Sequence, residues 1–116
     1  MLTSFLNISD LSKKQLISLL DLETEKLVLQ NKSIGLLFEK YSTRTRLSFS
    51  VGVAQLAGNI VEIRLEELNL SRDESFEDTF LAFNCYLDGL IYRTSDHNRL
   101  IESTKFFKKP VINALS

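Results

Sequence analysis

Cysteine, proline, methionine and histidine each occur once in these 116 residues, glycine four times and tryptophan not at all. The single cysteine, Cys85, lies in an apolar segment, which excludes a disulfide framework and any cysteine cluster with metal-ligand spacing; an intracellular, reduced setting is expected. An excess of either charge is lacking too. Lys and Arg total 14 against 15 for Asp and Glu, so no overall basic field exists to hold nucleic acid or an anionic membrane, and any anion site must be local. The start, MLTSFLNISDLSKK, has neither the basic flank nor the continuous apolar core of a secretory signal, and no apolar run approaches membrane-spanning length. The expectation is a soluble, cytoplasmic protein with no nucleic acid and no membrane as partner. Repeats, low-complexity tracts and Gly/Ser linkers are absent as well, which leaves residues 1–116 as one domain. With 44% hydrophobic residues that domain can build a real core.

What is present alternates. From Ser9 onward, Leu16, Leu19, Leu20 and Leu27 recur at roughly helical spacing behind Ser9 or Asp10 as a cap, which predicts a first helix. SIGLLF, Ser33 to Phe38, has the length of a buried strand, and Thr43 to Ala57 reads as a helix stopped by Gly58-Asn59. That helix is expected to pack on the strand through Leu47, Val51 and Ala54. NIVEI reads as a strand and RLEELNLSRDE as a polar segment. Phe76, Phe80, Phe83 and Leu87 then fall on one face of a helix capped by Ser75. DGLIY is a further strand, SDHNRLIESTKFF a helix begun by Ser95 or Asp96, and PVINAL a last strand after Pro110. Helices alternating with apolar strands predict an α/β fold: a parallel sheet flanked by helices on both faces. The chain stops just after a strand, where such a fold continues, so a truncated domain is expected.

Between the first strand and the following helix stands Ser42-Thr43-Arg44-Thr45-Arg46. A helix start presents free backbone N–H groups and the positive end of the helix dipole, so a strand-to-helix turn suits an anion. Three hydroxyls add short donors, and an arginine adds a planar fork matched to phosphate oxygens. The glycines and the Lys-Ser/Thr pair of a Walker A loop are missing, and no carboxylate cluster suggests magnesium; a phosphate bound without metal is the reading. Successive helical residues turn by about 100°, so Arg44 is assigned to the ligand and Arg46 to a structural ion pair. The plain alternative is that Ser42 or Thr43 merely caps the helix and the arginines are solvated.

FEKYSTRTRLSF resembles the carbamoyl-phosphate loop of the aspartate and ornithine carbamoyltransferases, with all five signature residues intact. The likeness continues through AQLAGN, LSRDESFEDT, LDGLIYRT and PVINALS, and the YRT and INALS segments resemble the ornithine branch. The resemblance implies a two-domain α/β enzyme, of which residues 1–116 are part of the carbamoyl-phosphate-binding domain and the amino-acid-binding domain is absent. It implies that Ser42, Thr43, Arg44, Thr45 and Arg93 bind carbamoyl phosphate, with Arg44 and Arg93 as the catalytic arginines and no cofactor or metal. Arg93 also makes sense by position, because it directly follows the strand DGLIY and open α/β sheets bind ligands just beyond their strands' carboxyl ends. Arg72 matches a residue that family members extend into a neighbouring subunit's site, which implies a homotrimer. Three positions depart from the family's pattern: Tyr41 stands at a usual proline, Asp73 at a usual glycine and Ser50 at a common glutamate. His97 is expected at the surface, since the family's His-Pro-x-Gln motif would lie beyond Ser116. The implied function is the carbamoyl-phosphate half of an ornithine carbamoyltransferase, inactive as this fragment. Aspartate carbamoyltransferase, a relative using a modified ornithine, or a non-catalytic anion-binding module are the alternatives.

Overall fold

The computed structural model describes residues 4–7, 12–20, 27–39, 42–64 and 75–114. The elements run α1 (Lys13–Leu20), β1 (Ser33–Phe38), α2 (Thr43–Gln55), β2 (Asn59–Ile63), α3 (Phe76–Tyr86), β3 (Gly89–Arg93), α4 (His97–Phe106) and β4 (Val111–Asn113). The four strands form one sheet in the order β2-β1-β3-β4, and all three pairings are parallel. The α/β alternation expected from the sequence is therefore the architecture observed.

Side-chain alternation along β1 and β3 divides the core into two layers. Leu37, Leu90 and Tyr92 face Phe80 of α3 and Leu100 of α4, together with Leu87, Phe107 and Val111. Leu36 and Ile91 point the other way, against Val53 of α2 and Ala114. Successive strand residues project to opposite faces, so helices cover both sides. β1 and β3 are central and nearly all apolar, whereas β2 is an edge strand and leaves Val61 exposed. On β1, Gly35 allows a close approach, because a Cβ there would meet the Leu87 Cδ1 methyl at 2.7 Å and force that side chain to shift.

Local signals set the helix ends. Ser75 Oγ accepts from the Asp78 N–H, the cap expected, and the Asp96 carboxylate accepts from those of Asn98 and Arg99, which selects Asp96 over Ser95. α1 starts later than its leucine spacing suggested. Ser12 Oγ accepts from the Gln15 N–H at 3.1 Å while Gln15 Oε1 accepts from the Ser12 N–H at 2.9 Å, a reciprocal capping box. Ser9 and Asp10 lie outside the described residues. Leu27 is not part of α1; it sits in a turn and is 60% exposed.

Two expectations for α2 are corrected. Its packed face carries Phe49 and Val53, while Leu47, Val51 and Ala54 point outward. Apolar residues surround much of this helix, so spacing alone did not select the face. The helix also ends at Gln55 in a Schellman arrangement: the Gly58 N–H donates to Val53 O at 2.9 Å and the Ala57 N–H to Ala54 O at 3.0 Å. The left-handed residue is Ala57, with φ 67°, rather than Gly58. Ala57→Gly is expected to stabilise the domain by up to about 1 kcal/mol, because relief of the left-handed penalty exceeds glycine's extra entropy cost. A urea titration showing an unchanged or lower midpoint would contradict this.

One feature escaped the sequence reading. Residues 4–7 run beside β4: the Phe5 N–H donates to Val111 O at 2.8 Å, the Asn113 N–H donates to Phe5 O at 2.7 Å, and Phe5 and Ile112 form a parallel bridge. A single bridge carries too little alternation to be read from sequence.

Candidate functional site

From β1 the chain crosses to β2 on one side, then passes back over β1 to β3 on the other. The carboxyl ends of β1 and β3 are thus neighbours whose connections leave over opposite faces of the sheet. This is a topological switch point, where open α/β sheets form a crevice. Phe38 pairs with Arg93 at this edge, and the Glu39 N–H donates to Arg93 O at 2.8 Å.

The Ser-Thr-Arg-Thr-Arg turn and Arg93 meet here. Ser42 holds the N-cap of α2 in extended backbone conformation, φ −156° and ψ 103°, and its carbonyl accepts from the Arg46 N–H at 3.1 Å. Unlike Ser75 and Asp96, its hydroxyl makes no capping bond, so that donor and the first N–H groups of α2 remain available. Thr43 and Arg44 are exposed in the first turn, and Thr45 is half-buried beneath them. Arg93 Nη1 donates to Thr45 Oγ1 at 3.4 Å and to Ala114 O at 3.5 Å, both long, while its buried Nε has no hydrogen-bond partner. A buried charged donor without an acceptor costs free energy, so this fork has the capacity for a further acceptor. A group carrying several oxygens and negative charge fits the convergence of Arg93, the Ser42 and Thr45 hydroxyls and the N-terminus of α2.

Arg46 points elsewhere, as its helical offset from Arg44 predicted. Its Nη1 lies 2.9 Å from Glu62 Oε1 on β2, with both side chains well exposed. His97 is half-buried rather than at the surface, and its Nε2 lies 3.2 Å from Asn7 Nδ2 on the segment beside β4. Ser50 is half-buried within α2. Tyr41, Arg72, Asp73 and the polar segment 65–74 lie outside the described residues.

A polar cluster that sequence reasoning missed sits directly behind the turn. The Glu39 carboxylate accepts from Thr94 Oγ1 at 2.9 Å, from Arg99 Nη1 at 2.7 Å and from the Tyr92 hydroxyl. The Glu39 side chain is only 9% exposed, so three donors, one of them a cation, offset its desolvation. Burial, and then donation to Glu39, push the Tyr92 phenol well above its ordinary pKa. For Arg99, burial works against the charged form, yet the Glu39 carboxylate holds its pKa above the ordinary value. The one signal in the sequence was an acidic residue directly after a mostly apolar strand, which by itself names none of its partners.

Comparison with known proteins places the chain in a family. Residues 3–116 match the family model described as aspartate/ornithine carbamoyltransferase, carbamoyl-P binding domain. The ornithine carbamoyltransferase of Campylobacter jejuni subsp. doylei is 37% identical over 117 residues, covering 97% of this chain and 38% of its own length. The crystal structure of the anabolic ornithine carbamoyltransferase of Campylobacter jejuni NCTC 11168 superimposes with a TM-score of 0.86 at 37% identity, over 99% of this chain and 40% of that one. The catalytic subunit of M. jannaschii aspartate transcarbamoylase shares the fold, with a TM-score of 0.85 at 24% identity, over 97% of this chain and 42% of that one. This chain thus spans about two-fifths of the length of the relatives it matches.

Proposed function

The chain belongs to the aspartate/ornithine carbamoyltransferase family, and from that premise we propose that it binds carbamoyl phosphate for transfer of the carbamoyl group to L-ornithine. In this reading residues 1–116 are the carbamoyl-phosphate-binding domain, and the amino acid binds to a second domain. The phosphate lies at the N-terminus of α2 against Ser42, Thr43, Arg44 and Thr45, and Arg93 reaches it from the end of β3. The neutral δ-amine of ornithine attacks the carbamoyl carbon, the bond from that carbon to the bridging oxygen breaks, a proton passes from the amine to the departing phosphate, and citrulline and hydrogen phosphate result. Arg44 and Arg93 neutralise the leaving phosphate and help polarise the carbonyl, while the helix N–H groups and hydroxyls fix its orientation. Arg72 contributes to a neighbouring subunit's site in a cytoplasmic homotrimer of arginine metabolism.

The observation that carries the reading is the convergence of Arg93 Nη1 and Thr45 Oγ1 beside a buried Arg93 Nε that lacks an acceptor. Ornithine is preferred to aspartate because the ornithine enzyme matches at 37% identity, whereas the aspartate enzyme matches at 24%, a level that supports the fold alone. The test is an NMR titration of this chain with carbamoyl phosphate and with inorganic phosphate. Both are expected to perturb the amides of residues 42–46 and the Arg93 side chain in a common pattern. Perturbations scattered over the surface, or centred on Arg46 and Glu62, would overturn the assignment.

A further inference from the structure

The Glu39 cluster joins three elements at one point. Glu39 follows β1 directly, three residues before Ser42, Tyr92 and Thr94 flank Arg93 at the end of β3, and Arg99 comes from the first turn of α4. Thr94, itself buried, donates to Glu39 Oε1 and accepts from the Asp96 N–H at 3.2 Å, so the cap of α4 is tied to the same carboxylate. Glu39 also bonds through its backbone to Arg93 O, the residue whose fork faces the anion site. A buried carboxylate this close to a phosphate would oppose it, and low local dielectric strengthens that repulsion. Arg99 supplies the compensating charge, on Glu39 Oε1 at 2.7 Å.

We propose that Arg99 is a positioning residue for the anion site: acting through Glu39, it neutralises the carboxylate and clamps the ends of β1 and β3 at the spacing that lets the Ser42–Thr45 turn and Arg93 share one ligand. The inference rests on the phosphate reading given above. Among the described residues the Arg99 head bonds to Glu39, so its effect passes through the carboxylate that Tyr92 and Thr94 also hold. Removing the cation alone leaves a buried, uncompensated negative charge. Removing both charges, while keeping an acceptor for Tyr92, restores neutrality and most of the clamp.

The experiment compares inorganic phosphate binding, and the Arg93 Nε–H resonance, in the wild-type chain and in Arg99→Met, Arg99→Lys, the double variant Glu39→Gln/Arg99→Met, and Arg93→Ala. Arg99→Met is expected to weaken phosphate binding about tenfold and to shift the Arg93 resonance, whereas Arg99→Lys stays within about threefold of wild type. The double variant is expected to recover most of the loss, which mere loss of stability would not produce. If Arg99→Met does not fold, the lysine and double variants decide. Wild-type affinity in Arg99→Met, equal losses in Arg99→Met and Arg99→Lys, or no recovery in the double variant overturns the role of Arg99. Phosphate binding that is present in wild type and lost in Arg93→Ala, but indifferent to Arg99, leaves the site reading standing and removes only this inference. No phosphate binding by the wild-type chain removes both.

Discussion

Phe80→Ala is expected to lower the unfolding free energy of the domain by about 3–5 kcal/mol, the range for emptying a fully buried aromatic site. Phe80 is wholly buried and stands at the centre of an aromatic cluster: ring centroids lie 4.4 Å from Phe76, 5.1 Å from Phe83 in an edge-on arrangement, and 5.7 Å from Tyr92. Truncation forfeits the transfer free energy of the ring and its offset aromatic contacts, and α3 cannot sink far enough to fill the space while Leu87 packs against Gly35. On the same helix Leu81 is 44% exposed, and Leu81→Ala is expected to cost within about 0.5 kcal/mol. Chemical denaturation of both variants gives the comparison. A loss below about 1 kcal/mol for Phe80→Ala would mean that the cluster closes over the cavity. Tyr92 adds a second consequence. Its ring leans on Phe80 while its hydroxyl serves Glu39, so the same substitution is expected to disturb the polar cluster behind the anion turn.

That link between core and site also marks where the sequence was legible. SIGLLF and NIVEI gave their strands residue for residue, because a short apolar run bounded by polar residues leaves few alternatives. The phenylalanine period of α3 and Ser75 as its cap were equally plain, since each is a local pattern with a local cause, and the cap of α4 was narrowed to Ser95 or Asp96, of which the structure uses Asp96. α2 was harder. Leu47 and Val51 lie one helical turn apart, and so do Phe49 and Val53, so the buried pair is set by the sheet beneath rather than by period. The turn Ser42–Thr45 and Arg93 were readable as anion-binding types, but their approach depends on β3 lying next to β1, a pairing across more than fifty residues. Glu39, Tyr92, Thr94 and Arg99 were unreadable for the same reason. Each is an ordinary residue until parallel pairing and the first turn of α4 bring the four together.

Arg44→Ala and Arg93→Ala are each expected to weaken phosphate binding by about 1.5–3 kcal/mol, roughly 10- to 150-fold in Kd, the range for a hydrogen bond to a charged group. Arg46→Ala is expected to leave affinity within about threefold and to cost at most about 1 kcal/mol of stability, because it breaks only an exposed ion pair with Glu62. The contrast follows from geometry. Arg44 occupies the exposed first turn of α2, where the helix dipole already favours an anion, whereas the head of Arg46 is engaged by Glu62 on β2. Arg93 comes from the far side of the switch point, with Nε buried and unsatisfied; an anion that supplies its acceptor recovers a cost already incurred in the folded chain. The two arginines should therefore differ in kind. Arg93→Ala removes an unsatisfied buried donor, so it is expected to lose affinity with little loss of stability, or even a small gain, whereas Arg44→Ala changes affinity alone. NMR titration with phosphate, together with urea unfolding of the three variants, separates these outcomes. A loss of affinity for Arg46→Ala equal to that for Arg44→Ala would reassign the ligand arginine, and a large stability loss for Arg93→Ala would show that its long bonds to Thr45 and Ala114 hold the strand ends rather than await a ligand.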